Sequence, residues 1–444
     1  MPPNKLDSYE REPISTTTLS LLCHFATGDV SKPLRPVEAD WDQVFQAVCR
    51  NGLLGVTYHY LKYNEHREYP PTEFRSWVQQ AYRLKSIGMV MMNQKVGRVL
   101  SQLNEAGLDY LLIKGPAIAH LIYPHHSLRS FNDLDIVVRE QDWNFAHQML
   151  TKIGFIQVED KELLQPPPKL ASQMVLYELK YWHPELRLIL ELHFDDLLNA
   201  GLAARQIEGF WQRSTQLMVE RIPVKILALE DQLIHLCAHA HYHGYTRLNW
   251  FTDIAFIIRD YADKLDWGRF IETVHTEEAE VPVYYTLRFL AQLLEVSAPE
   301  AVVEAVKPDS WRRWWHERYM PEKQVLSMLP MPRPDFSFYF IPLFKRLLPD
   351  LLVMGRRREK LWCLIRLLAP PKAWLQYYYQ LQKLQPIAAH YLLHPLKLLF
   401  NYLIEGVTVI SKKQRLGIPG PELAHAREER VEELKVTDFN PSRV

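Results

Sequence analysis

LLIKGPAIAHLIYPHHSLRSFNDLDIVV, residues 111–138, decides the fold. LDYLLIKG reads as a short apolar strand that ends at Gly115. Pro116 opens PAIAHLIY (116–123) as a helix, in a first turn that tolerates a missing N–H. PHHSLRS is a loop, and DLDIVV (133–138) is a second strand. That strand carries two carboxylates in an apolar run. Charged side chains resist burial unless they are paired or bind a metal. Strand side chains alternate between faces, so Asp133 and Asp135 share one face while Leu134, Ile136 and Val138 take the other. Neighbouring like charges raise one another's pKa unless a cation compensates. Carboxylates suit Mg²⁺ or Mn²⁺ in that role.

Working outward, EQDWNFAHQMLTKIG reads as a helix closed by Gly154, and FIQVED as a third strand. MVLYELKYWH and LRLILELHF form a hairpin that turns at His183-Pro184-Glu185. Alternation puts Arg187, Ile189, Glu191 and His193 on one face of its second arm. If that arm neighbours DLDIVV, Glu191 joins Asp133 and Asp135. Three carboxylates can hold two metals roughly 3.5–4 Å apart. Lys114-Gly115 stands where a strand meets a helix N-terminus. There a lysine can meet phosphate oxygens, and Gly allows close backbone approach. Arg129 offers a second phosphate contact through its planar fork.

The flanks read as helical, with apolar residues at three- and four-residue intervals. The expected organisation is a helical lead-in (1–105), a small mixed α/β domain (106–200), a helical domain (201–328), a basic helical region (329–420) and a tail (421–444). The fold class is α+β, a small mixed sheet embedded between helical regions.

The 444 residues are 48% hydrophobic and 23% charged, which marks a globular chain rather than a disordered one. Net charge is zero, but residues 341–420 hold 13 Lys or Arg against 3 Asp or Glu. That basic stretch can attract phosphates, nucleic acid or an anionic membrane surface. No nucleic-acid-binding module accompanies it, so a nucleic-acid template is not expected. Cys23, Cys49, Cys237 and Cys363 are scattered without a C-x-x-C pair, which fits a reducing cytoplasm. The polar N-terminus lacks an apolar signal region, and no run of 18 apolar residues occurs. Peripheral contact with the inner face of the membrane through the basic region stays open.

The motif residues in order, Lys114-Gly115, Tyr123, Arg129, Asp133 and Asp135, resemble the opening motif of the uncharacterised nucleotidyltransferase-like family. That family lies within the DNA polymerase β-type superfamily. The E-L-H strand, Glu191-Leu192-His193, and a later helical pattern, His239, His243, Arg247-Leu248, Trp250 and Asp253, are similar as well. The superfamily more often has Gly-Ser where this chain has Lys-Gly. The resemblance implies a nucleotidyltransferase palm with Asp133, Asp135 and Glu191 on Mg²⁺ (or Mn²⁺) and an NTP as co-substrate. Nucleotide would meet Lys114, Gly115, Arg129, His239, His243 and Arg247. An NMP would pass to an unidentified, non-templated acceptor with release of pyrophosphate.

HLCAHAHYH places His235, His239 and His243 on one helix face. Such spacing can chelate zinc, but no H-E-x-x-H occurs, so these histidines face the cleft or pack a domain interface. Two rival functions stay open. One is an inactive nucleotide-binding regulator. The other is a glycosyltransferase whose D-x-D holds a sugar nucleotide through Mn²⁺.

Overall fold

The computed structural model describes residues 14–64, 69–158, 178–194, 197, 207–326 and short pieces between 365 and 396. Most of the basic stretch 341–420 and all of the tail lie outside the described residues. Four helices lead: α1 (Thr16–Ala26), α2 (Trp41–Arg50), α3 (Leu54–Tyr63) and α4 (Thr72–Glu105). Asp40 caps α2 by accepting a hydrogen bond from the Gln43 N–H at 3.0 Å, which satisfies one of the free donors of the first turn. The 34-residue α4 begins directly after Pro70-Pro71.

The strands follow: β1 (Leu111–Ile113), β2 (Asp133–Val138), β3 (Ile156–Gln157), β4 (Glu178–His183), β5 (Leu188–Phe194), β6 (Thr215–Val219) and β7 (Ile222–Ile226). They form one mixed sheet in the order β3-β4-β5-β2-β1-β7-β6. The fold is α+β, with this sheet set between helical regions. α5 (Lys114–Ile122) links β1 to β2, α6 (Trp143–Lys152) follows β2, and α7 (Ile207–Arg213) precedes β6. One sheet face, with Leu112, Leu134, Ile136, Leu190 and Leu192, buries against Val96, Val99, Leu100 and Leu103 of α4 and Ala146 and Leu150 of α6. The opposite face holds Asp135, Glu191 and His193, beside a smaller apolar cluster of Leu111, Ile113, Val137, Phe210 and Trp211.

The sequence reads as helical from residue 204, and residues 215–226 correct that: β6 and β7 form a hairpin that extends the sheet past β1. Two features hid it. Its turn is Glu220-Arg221, with both residues at positive φ (49° and 67°), where Asn-Gly is the usual signal. Pro223 also argues against a strand because it lacks a ladder donor. β7 meets β1 only at Lys225 and Ile226, so the Pro223 nitrogen is not needed there.

After the sheet come α8 (Leu229–Tyr242), α9 (Leu248–Asp260), α10 (Trp267–Thr276) and α11 (Glu280–Leu294), then three shorter helices to Leu326. Their apolar faces share one core with α1–α3 and the start of α4, including Leu22, Phe25, Val48, Phe74, Leu233, Phe251, Ile254 and Leu290. α5 lies between the two cores. Its Ala117 and Ala119 face the sheet, and Ile118 and Ile122 face the helices. Among the described residues, no helix is long and apolar enough to cross a membrane.

The helical core also buries histidines. Burial, and then the Lys114 charge, push the His235 pKa down to about 3. Burial alone pushes His241 to about 4. Both stay neutral in the folded chain but take up a proton in the unfolded chain near the ordinary value of about 6.5. Between those values the unfolded state binds more protons, so stability falls as pH drops. The unfolding free energy from urea titration is expected to be flat from pH 8 to about 7 and to fall from about 6.5 toward 4, by roughly 1.4 kcal/mol per unit for each buried histidine. A value unchanged between pH 7 and 5 would show that these rings are not buried neutral.

Candidate active site

The site begins with strand register. β2 and β5 run parallel, and Asp135 stands opposite Glu191. Side chains opposed across parallel strands share a face, so these carboxylates sit side by side with Asp133 two residues earlier on the same face. Asp135 is 2% exposed. Its Oδ1 accepts from Lys114 Nζ at 2.8 Å and from His193 Nε2 at 3.0 Å. Burial acts to raise the Asp135 pKa. The Lys114 charge, followed by the His193 hydrogen bond and charge, overcomes it and holds the carboxyl well below the ordinary range. Asp135 is therefore ionised at any physiological pH. Glu191 lies 2.8 Å from Lys180 Nζ on the neighbouring β4, and its Oε2 is 4.0 Å from His193 Nε2.

Ligand atoms of Asp135, Glu191 and His193 all fall within 4.8 Å of one another. Asp133 is on the same face but outside that group, and the two carboxylates on adjacent strands with His193 are a donor set that fits a divalent cation. His193 and Lys180 are additions to the residues singled out from the sequence. The signal for His193 was present, because alternation already put it on the Glu191 face. Lys180 shows only once β4 pairs with β5.

Lys114 sits at the first residue of α5 with φ +52°. That left-handed conformation costs an L residue with a side chain roughly 1–2 kcal/mol and suits Gly. The chain thus places a lysine where the backbone favours glycine, and the gain is an ammonium on Asp135. Lys114→Gly is expected to be more stable than Lys114→Ala by about 1 kcal/mol, since both lose the cation and only Gly escapes the strain. Equal urea midpoints for the two variants would show that the backbone is not strained there.

Gly115 has a different task from phosphate approach. A Cβ at this position would lie 2.8 Å from Phe131 Cβ, so the missing side chain lets α5 pack on the segment leading into β2.

Arg129 also departs from the expected phosphate contact. Its Nε and Nη2 hold both oxygens of Asp253 at 2.9–3.1 Å, and Nη1 donates to the Ser130 carbonyl at 2.6 Å. The Tyr123 hydroxyl donates to the same Asp253 at 2.6 Å. Asp253 is fully buried. Burial opposes the Arg129 charge, but Asp253 outweighs it and lifts the guanidinium pKa. The fork expected to grip phosphate instead ties the β2 approach to α9.

The histidine-rich helix α8 comes near the carboxylate face, since the charges of Lys114 and Asp135 both act on His235 and His239. Burial, then the neighbouring His243, hold the His239 pKa well below its ordinary value. Rings of His239 and His243 lie 4.5 Å apart, and each lies within 5.3 Å of Trp250. His235 Nδ1 is 2.5 Å from the Leu197 carbonyl. Among the described residues these histidines form no metal-ligating group. Arg247 stands exposed at the start of α9.

A mixed sheet bearing adjacent carboxylates on one face, a half-buried lysine among them and helices packed on the sheet are the features of a nucleotidyltransferase-like protein. The chain belongs to the family described as uncharacterised nucleotidyltransferase, whose model matches residues 37–295. This membership supports a general role in nucleotidyl transfer. Among solved structures it is similar to an antigenic nucleotidyltransferase-like protein from Paracoccidioides brasiliensis. The two are 18% identical over 48% of this chain and 95% of the other, with a TM-score of 0.31. No curated protein matches the chain.

Proposed function

We propose that the chain moves an NMP from an NTP to a non-templated acceptor and releases pyrophosphate. The acceptor would be a small molecule, a carbohydrate or lipid intermediate, or a peptide or protein side chain. The observation that carries this reading is the β2–β5 register, which seats Asp135 against Glu191 on the face that also bears Asp133. Asp133, Asp135 and Glu191 would hold Mg²⁺ or Mn²⁺, whose preference for carboxylate oxygen matches this donor set. Bound there, the ion supplies neutralisation of the triphosphate and a template for in-line displacement.

The protein's own part is positioning. His193 holds Asp135 in one orientation, and Lys114 adds positive charge at the mouth of α5, where phosphate oxygens are favoured. An acceptor oxygen bonds to the α-phosphorus as the bond to the departing pyrophosphate breaks. His239, His243 and Arg247 border the nucleotide in this reading. The basic stretch 341–420 supplies peripheral contact with an anionic membrane or acceptor.

NTPs labelled at the α-phosphate, incubated with the full chain, Mg²⁺ and a fractionated cell extract, test the reading. Label should move to a product with wild type and not with the Asp133→Ala/Asp135→Ala variant; equal labelling by both sinks the proposal. Turnover of a UDP-sugar with none of an NTP would point instead to D-x-D glycosyl transfer.

One observation favours a second reading, a nucleotide-binding regulator without turnover. Lys114 on Asp135 and Lys180 on Glu191 already neutralise two carboxylates without a metal. Turnover decides between the two: Mg²⁺–NTP binding by calorimetry with no transfer of label favours the regulator, and transfer of label rules it out.

A further inference from the structure

We propose that His120, His126 and Glu220 form a second metal site, separate from the carboxylate face, which takes one Zn²⁺ ion. The three residues come from different elements: His120 from α5, His126 from the short 3₁₀ turn at 126–128, and Glu220 from the tip of the β6–β7 hairpin. Their ligand atoms lie within 4.8 Å of one another.

The tautomer of His120 carries the argument. His120 Nδ1 lies 2.9 Å from the Pro116 carbonyl, which can only accept, so Nδ1 bears the proton. In the neutral ring the lone pair is then on Nε2. The side chain is 10% exposed, and Nε2 is buried without a hydrogen-bond partner. It faces Glu220 Oε1 at 3.5 Å, which is too long for an N–H···O bond. Two lone-pair donors at this distance are spaced to share a cation. The 3.5 Å separation matches the about 3.4 Å between ligand atoms at a tetrahedral angle on bonds of about 2.1 Å. An Nδ1–H held by a backbone carbonyl is also the usual support for a metal-bound imidazole.

The neighbours fix the other two ligands. The His126 ring lies 4.7 Å from that of His120, inclined by 11°, and offers a ring nitrogen within 4.8 Å of the other two ligand atoms. Glu220 sits in a turn with φ +49°, and a Cβ on Gly97 of α4 would lie 2.9 Å from Glu220 Cβ. Gly97 thus leaves the space in which the Glu220 stem rests. Two imidazoles and one carboxylate suit Zn²⁺ and leave a fourth position for water.

The test uses the metal-stripped full chain, titrated with Zn²⁺ by calorimetry in excess Mg²⁺. Wild type, His126→Ala, Glu220→Gln and the carboxylate-face control Glu191→Gln are compared, with circular dichroism confirming that each is folded. Wild type should bind one Zn²⁺ per chain. His126→Ala and Glu220→Gln should each weaken it by at least about 100-fold, as even outer-shell partners are worth roughly 10- to 100-fold. Glu191→Gln should leave it unchanged. Co²⁺ in place of Zn²⁺ should give a tetrahedral visible spectrum that both ligand variants lose. The contrary result is failure of wild type to bind Zn²⁺. That result, or equal affinity in the ligand variants and wild type, overturns the proposal.

Discussion

Asp135→Asn is expected to lower nucleotidyl transfer by about 10³-fold or more, as removal of a preorganised charge at a reacting phosphate does. Asp135 is the most enclosed of the three proposed metal-binding carboxylates, with Lys114 and His193 both on Oδ1. Asn keeps one carbonyl oxygen for these donors, so the strand and its neighbours stay in place. What disappears is the negative charge. The proposed cation then loses its central ligand, and Lys114 is left beside a neutral amide. Initial rates of label transfer, measured on protein whose circular dichroism matches wild type, check this. An Asp135→Asn rate within a few-fold of wild type would remove Asp135 from the chemistry.

Asp253→Ala should be the most destabilising single substitution of a charged residue. Its carboxylate is fully buried and holds Arg129 through both oxygens as well as the Tyr123 hydroxyl. Deleting it leaves a guanidinium and a phenol buried without their acceptor. Breaking a buried pair from one side costs about 3–5 kcal/mol, because the remaining charge is uncompensated. Urea unfolding reads the loss directly. A change under about 1 kcal/mol would mean that the pair behaves like a surface ion pair. The pair also joins the β2 approach to α9, so its loss should loosen the carboxylate strand as well as the fold.

The candidate site was legible wherever alternation alone decides direction. DLDIVV and LRLILELHF each show one apolar face and one polar face, and these are the faces the sheet uses. Their adjacency was not legible, because pairing of β2 with β5 joins strands that have α6, β3 and β4 between them in sequence. The partner of Arg129 was not legible for a related reason. Its chemistry suits phosphate and carboxylate equally, and only the tertiary structure brings Asp253, 124 residues away, to its fork. Both Asp253 and Tyr123 belong to the motif that carries the resemblance, so the order of residues held a signal whose meaning is structural. The β6–β7 hairpin escaped because a charged turn and a proline replace the usual markers. Lys114 shows the reverse case: its type suggested phosphate contact, whereas its positive φ and its bond to Asp135 appear only in three dimensions.

The central claim is that the face bearing Asp133, Asp135 and Glu191 binds a metal–nucleotide complex. A crystal structure of the full chain with Mg²⁺ and a non-hydrolysable NTP tests it most directly. Mg²⁺ is expected on those three carboxylates, with the α-phosphate above them and Lys114 drawn toward phosphate oxygen. Nucleotide bound elsewhere, or Lys114 still on Asp135 with no metal at the carboxylates, would contradict it.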